Sequence, residues 1–142
     1  MSARKMLLEV VSQEKKMISA EIDSVTVPTT QGEITVLIDH IAMFAEVSPG
    51  ELIYRTGNQE KSMIVSKGFI NVHSLEDKVV VMVDTGSLTE NISVQKAQEA
   101  VKAARETMLK TKDQREMMMA EASLRQAMLE IKVAQKTKKT SI

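Results

Sequence analysis

Through the first part of the chain, apolar and polar residues exchange places at every second position. In the last third, apolar residues recur every three or four. Ser24-Val25-Thr26-Val27 and Glu33-Ile34-Thr35-Val36 follow the period of two that a strand with one covered face requires. Lys78–Val83 is a continuous β-branched run and reads as a strand buried on both faces. Further short strands are expected at Leu7–Val11, Glu51–Arg55, Ser62–Val65 and Phe69–His73. Turn chemistry separates them at Pro28 to Gly32, Ser48-Pro49-Gly50, Gly57-Asn58, Glu76-Asp77 and Asp84-Thr85-Gly86. Short strands spaced about ten residues apart predict a β-sandwich or flattened barrel rather than βαβ units.

Two helices follow. Ala97, Val101, Ala104 and Met108 form one narrow apolar seam, and Met117, Ala120, Leu124, Ala127, Ile131 and Ala134 form a second. Spacings of three and four put each set on one helical face. The polar link Lys110–Gln114 is too short for anything but antiparallel neighbours, so the C-terminal part is expected to be a two-helix hairpin. Glu106 with Lys110 and Glu121 with Arg125 are spaced as i,i+4 pairs. Lys136–Lys139 reads as a frayed tail.

Composition divides at the same place. All five glycines, both prolines and all three aromatics precede residue 87. Beyond it the chain is rich in Ala, Met, Gln, Glu and Lys, which favour helix. Residues 1–89 carry 8 Lys/Arg against 12 Asp/Glu, and residues 90–142 carry 11 against 7. Opposite net charges of −4 and +4 mark two domains, 1–89 and 90–142. With three aromatics, the sandwich core falls to Val, Ile, Leu and Met, and Tyr54 is open to either core or rim.

The 142 residues hold 19 Lys/Arg and 19 Asp/Glu, a neutral balance that argues against wrapping a nucleic-acid backbone. The absence of cysteine excludes disulfides and thiolate chemistry. Apolar runs reach five residues, as at Ile41–Ala45 and Val79–Val83, against the roughly 20 that span a bilayer. Glu9 interrupts the apolar stretch near the N-terminus, so no secretory signal is expected.

Chemistry is sparse. The chain has no Walker loop, GxSxG elbow or HExxH motif. His40 and His73 stand apart from carboxylates at metal-ligand spacing. The Asp39-His40 neighbours read as a loop acid and a hydrogen-bonded loop histidine rather than a catalytic dyad. Met117-Met118-Met119 supplies one seam residue and two flanking ones. No enzymatic function is supported.

The order of residues resembles the epsilon subunits of F-type ATP synthases. The resemblance rests on Leu8-Glu9-Val10-Val11-Ser12, Ser19-Ala20-Glu21-Ile22 and Val25–Ile34, then Asp39-His40, Pro49-Gly50-Glu51-Leu52, Val65–Val72 and Lys78–Thr85. The family's Asn-His-Ala-Pro segment is here Asp39-His40-Ile41-Ala42, without the proline. Its Ser-Gly-Gly turn is Ser66-Lys67-Gly68, leaving one glycine for any positive φ.

The resemblance implies a non-catalytic rotor subunit of the central stalk, with no cofactor of its own, at the cytoplasmic face of an energy-transducing membrane. The sandwich would meet the gamma subunit and the c-ring, with Glu33 near the c-ring and His40 near gamma. The hairpin would regulate ATP hydrolysis by extending into the catalytic alpha/beta subunits, and Arg115, Arg125, Lys132 and Lys136 are its candidate contacts there. Many bacterial members bind ATP at an Ile-Asp-x-x-Arg-Ala motif where the hairpin begins. The matching segment here is Ile92-Ser93-Val94-Gln95-Lys96-Ala97, which lacks both the carboxylate and the arginine. Weak or absent ATP binding is therefore expected, with Ser93 serving as a helix cap. The competing reading, an adaptor whose basic helical tail binds RNA or acidic proteins, lacks aromatics among the basic residues to stack bases.

Overall fold

The computed structural model describes residues 4–89 and 92–140. Glu90 and Asn91, where the sequence places the start of the second domain, lie outside the described residues. The chain divides into two compact units, Met1–Ser87 and Leu88–Ile142.

Among the described residues, the first unit together with Leu88 forms a sandwich of ten strands: β1 Met6–Val11, β2 Lys16–Ile22, β3 Ser24–Thr29, β4 Gly32–Leu37, β5 Met43–Val47, β6 Gly50–Thr56, β7 Gln59–Val65, β8 Gly68–His73, β9 Lys78–Val83 and β10 Gly86–Leu88. One layer runs β4-β3-β6-β7-β10 and the other β5-β8-β9-β1-β2. The layers join at one corner through the single pair Thr29↔Val47. At another corner the Asp23 amide donates to the Arg55 carbonyl at 2.8 Å, and Thr56 Oγ1 donates to the Glu21 carbonyl at 3.0 Å. The pairing of β1 with β9 is parallel, while the other registered ladders are antiparallel, including β3 with β4 and β8 with β9.

Alternation decides the core. Strand β1 buries Met6, Leu8 and Val10, and β3 buries Val25 and Val27, with Ile22, Leu52, Met63 and Ile70 filling the space between layers. Aliphatic side chains and Met do this with Tyr54 also buried, while Phe44 and Phe69 stay outside. Strand β9 departs from the sequence expectation of burial on both faces. It buries Val79, Val81 and Val83 but leaves Val80 half-covered and Met82 exposed, because its position between β1 and β8 covers its edges and one face only.

Three strands escaped the sequence reading. Strand β2 mixes Lys16, Ser19 and Glu21 outward with Ile18 and Ile22 inward. Strand β5 exposes Phe44, and β10 is three residues long. Gly68 does not supply a positive φ; Gly32 and Gly57 do.

The second unit is an antiparallel pair, α1 Val94–Lys110 and α2 Gln114–Thr140. The link is Thr111-Lys112-Asp113, shorter than the sequence suggested, because capping starts α2 early. Asp113 Oδ1 accepts from the Arg115 amide at 2.9 Å, Thr111 Oγ1 accepts from the Asp113 amide at 3.1 Å, and Thr111 Oγ1 also donates to Glu116 at 2.6 Å. Ala97, Ala104, Ala120 and Ala127 are buried, with Val101, Met108, Met117 and Leu124 half-buried beside them. Past Ile131 the buried position is Val133, with Ala134 only half-buried. Helix α2 continues to Thr140, past the frayed tail expected from Lys136, since neither Gly nor Pro intervenes. Glu106–Lys110 and Glu121–Arg125 are not among the ion pairs of the described residues, as expected of exposed pairs whose Coulomb gain barely offsets side-chain ordering. Among the described residues, no helix is long and apolar enough to cross a membrane.

Candidate functional site

Glu33 is placed by a two-residue hairpin. Strands β3 and β4 pair from Ser24↔Leu37 to Thr29↔Gly32, which leaves Thr30-Gln31 as the turn. Gly32 takes φ +116° to close it, and Thr29 Oγ1 donates to the Gly32 carbonyl. Glu33 follows at once, exposed and facing Pro28 in the register.

His40 lies in the loop between β4 and β5. Its amide donates to the Leu37 carbonyl at 3.1 Å, and its Nδ1 donates to the Ile41 carbonyl at 2.8 Å. Asp39, in a left-handed backbone conformation with φ +68°, pairs with Arg4 at 3.1 Å. Arg4 also reaches Asp77 at 2.7 Å, so the Asp77 hydrogen bond, and then Asp39, hold the guanidinium more firmly protonated than usual. The fold brings His40 and His73 to one small depression with Asp39 and Asp77, about 10 Å³ in volume. Sequence spacing gave no sign of this meeting. Among the described residues no group of His, Asp and Glu is arranged to hold a metal.

A second surface was missed from the sequence. Phe44 on β5 and Phe69 on β8 stack outside the sandwich, with ring centroids 5.3 Å apart and planes 19° apart. Met82 on β9 registers opposite Phe69, so an apolar row crosses three strands. Phe44 is 62% exposed, Phe69 46% and Met82 39%. The alternation rule held the signal, since Phe44 and Phe69 sit out of phase with the buried Val47, Ile70 and Val72.

In the helical unit, Ser93 is the N-cap of α1. Its Oγ accepts from the Lys96 amide at 3.3 Å, and its carbonyl accepts from the Ala97 amide at 3.0 Å. Ala97 is buried in the seam, Lys96 is exposed, and Ile92 donates to the Thr89 carbonyl at 3.2 Å. The first turn of α1 has no acidic residue. Ser93 and Ala97 are thus engaged in capping and packing.

The four basic residues singled out on α2 fall into line. Arg115, Met118, Ala122, Arg125, Leu129, Lys132 and Lys136 follow one another at spacings of three and four. At 100° per residue, this stripe lies on the side of α2 opposite the alanine seam. All of its members are exposed except Leu129, which is half-buried.

Comparison with known proteins follows the same geography. The family model of the ATP synthase delta/epsilon-chain beta-sandwich domain matches residues 5–88. An ATP synthase epsilon chain of Dehalococcoides mccartyi is 38% identical over 137 residues, covering 95% of this chain and 96% of its own. The chain belongs to the ATP synthase epsilon-chain family. An epsilon chain of Syntrophobacter fumaroxidans is 35% identical, covering 95% of this chain and 99% of its own. Among solved structures, a chain of the Euglena gracilis mitochondrial ATP synthase OSCP/F1/c-ring assembly superposes with TM-score 0.73 at 21% identity, over 94% of this chain and 81% of that one. That likeness is one of fold. The epsilon-family match reaches beyond the sandwich, since the curated relatives align through the helices as well.

Proposed function

We propose that this chain is the non-catalytic rotor subunit of an F-type ATP synthase, coupling the catalytic hexamer to the membrane ring and regulating ATP hydrolysis through its helical hairpin. The observation that carries the reading is identity of 38% with an epsilon chain along 95% of the sequence. The sandwich meets gamma through the His40 loop and the Phe44–Phe69–Met82 row, because an exposed apolar row of aromatics and Met is suited to an obligate protein contact. Glu33, exposed on β4 beside the Thr30-Gln31 turn, meets the c-ring. The assembly sits on the cytoplasmic face of the membrane.

The hairpin has a different task. Its outward stripe of Arg115, Arg125, Lys132 and Lys136 fits an acidic surface on the catalytic subunits, with Met118, Ala122 and Leu129 between the charges to exclude water. The boundary near residues 89 and 90 separates assembly from regulation. The adaptor reading, in which the basic helix binds RNA, is not favoured. Its stripe interleaves Met, Ala and Leu with the charges, and none of these stacks on bases.

Affinity isolation of the native protein from cell membranes tests the whole reading. Gamma, alpha and beta subunits should accompany it, and co-purification of RNA without them would overturn it. A fragment of residues 1–89 should fold and capture gamma on its own. A folded fragment that fails to do so would refute the division of tasks.

A further inference from the structure

The loop carrying His40 is held by little of its own. Its described hydrogen bonds, from the His40 amide to Leu37 and from the His40 ring to Ile41, stay within the loop or reach its own strand. The tie to a distant segment comes from Arg4. Its Nη2 lies 3.1 Å from Asp39 Oδ1 and 2.7 Å from Asp77 Oδ2, and its Nη1 lies 3.5 Å from Asp39 Oδ2. Three segments meet in this one contact: the residues before β1, the β4–β5 loop and the β8–β9 turn. Both aspartates adopt left-handed backbone conformations, φ +68° at Asp39 and +48° at Asp77.

We propose that Arg4 is a positioning residue whose guanidinium clasps these two left-handed aspartates and sets the conformation of the His40 loop. A single exposed ion pair does little, but a guanidinium shared between two carboxylates is a small network with fixed geometry. Nη2 alone bridges the two carboxylates, and Nη1 adds a longer second contact to Asp39 that a lysine ammonium, one compact charge, does not supply. The clasp also sets what the two segments display. Ile41 is 77% exposed and Leu75 wholly so, one on each clasped segment. Holding them in place before contact removes an ordering cost from binding. This consequence rests on the proposed placing of the His40 loop against gamma.

Asparagine is as much at home as aspartate in the left-handed region. Asp39→Asn with Asp77→Asn therefore removes the charges while sparing the backbone turns. Hydrogen exchange of the full chain reads the effect at the His40 amide, with circular dichroism to show that the sandwich is intact. Arg4→Ala and the double Asn variant should each speed that exchange by about tenfold, as local opening predicts. Arg4→Lys should fall between them and the parent. In 1 M NaCl, where the screening length is about 3 Å, the parent should approach the variants and the variants should hardly change. The salt arm needs no mutation, so it stands even if a variant folds poorly. Equal exchange in parent and variants, or a parent indifferent to salt, overturns the clasp. Faster exchange in Arg4→Ala with unchanged gamma affinity leaves the clasp in place and overturns the placing of this loop against gamma.

Discussion

Gly68 runs so close beneath the backbone of Met82 that a Cβ at Gly68 would lie 1.9 Å from the Met82 carbonyl oxygen. The two strands pair at this end through Gly68↔Val83 and Phe69↔Met82, and the same strand opening aims Phe69 outward. A neighbour that is backbone cannot rotate aside. Gly68→Ala should therefore cost about 2 kcal/mol or more, seen as a drop in Tm of roughly 10 °C. An unchanged Tm would show that β8 and β9 can separate at no cost.

Acid should weaken the sandwich through Asp23. This carboxylate accepts from Lys5 Nζ at 2.7 Å and from the Gly57 amide at 2.7 Å. Those two contacts, Lys5 first, hold it below the usual carboxylate range. Glu9 is lowered likewise, first by Lys78 and then by Lys16. A group whose folded pKa lies below its unfolded one stabilises the fold above the unfolded value, about pH 4. That contribution fades as pH falls through the lowered folded value. Urea unfolding from pH 7 down to pH 2.5 should show a decline below about pH 4, and Asp23→Asn should flatten part of it. Parallel curves for parent and variant would remove Asp23 from the account.

Much of this architecture is written in periodicity. Val25, Val27 and Val36 are buried where a period of two puts them, and Ala97, Ala104, Ala120 and Ala127 are buried where the heptad-like spacing puts them. The missed strands are those whose side chains obscure the period. In β5 the largest residue, Phe44, points to solvent, and in β2 the short Ser19 and Ala20 blur the alternation. Interaction surfaces are less legible because they arise from cross-strand register. Phe44 and Phe69 are 25 positions apart and touch only because Phe44 registers with Asn71 and Glu46 with Phe69. Arg4, Asp39 and Asp77 likewise meet through tertiary folding alone. The basic stripe of α2 lay within one element, and its residues could be named from the sequence, although their alignment opposite the seam emerges only once the helix is phased.

That stripe yields a functional prediction. Replacing Arg115, Arg125, Lys132 and Lys136 together by Ala removes four positive charges from one face and leaves the alanine seam untouched. Ala is a good helix former, so the hairpin should survive. If the face docks on an acidic surface, each lost charge weakens that docking and slows its formation. ATP hydrolysis by the assembled enzyme should rise several-fold with subunit content unchanged. Unchanged hydrolysis in an intact assembly would return these residues to the role of a solvated face.

The segment at the start of α1 decides whether nucleotide takes part. Ser93 Oγ is already engaged by the Lys96 amide, Ala97 is buried in the seam, and the Lys96 side chain is exposed. A serine hydroxyl offers no charge to orient a ligand, and an ammonium cannot make the bidentate contact of a guanidinium. ATP should bind the isolated chain with a Kd of the order of millimolar or weaker, under about 4 kcal/mol of binding free energy. Ser93→Asp with Lys96→Arg restores both groups without losing the helix start, because aspartate caps as well as serine does. Calorimetric titration of parent and double variant with magnesium-free ATP separates the cases. Tighter binding by the variant alone identifies an eroded site, and micromolar binding by the parent would show that the altered motif still works. If neither binds, protein contacts alone set the position of the hairpin.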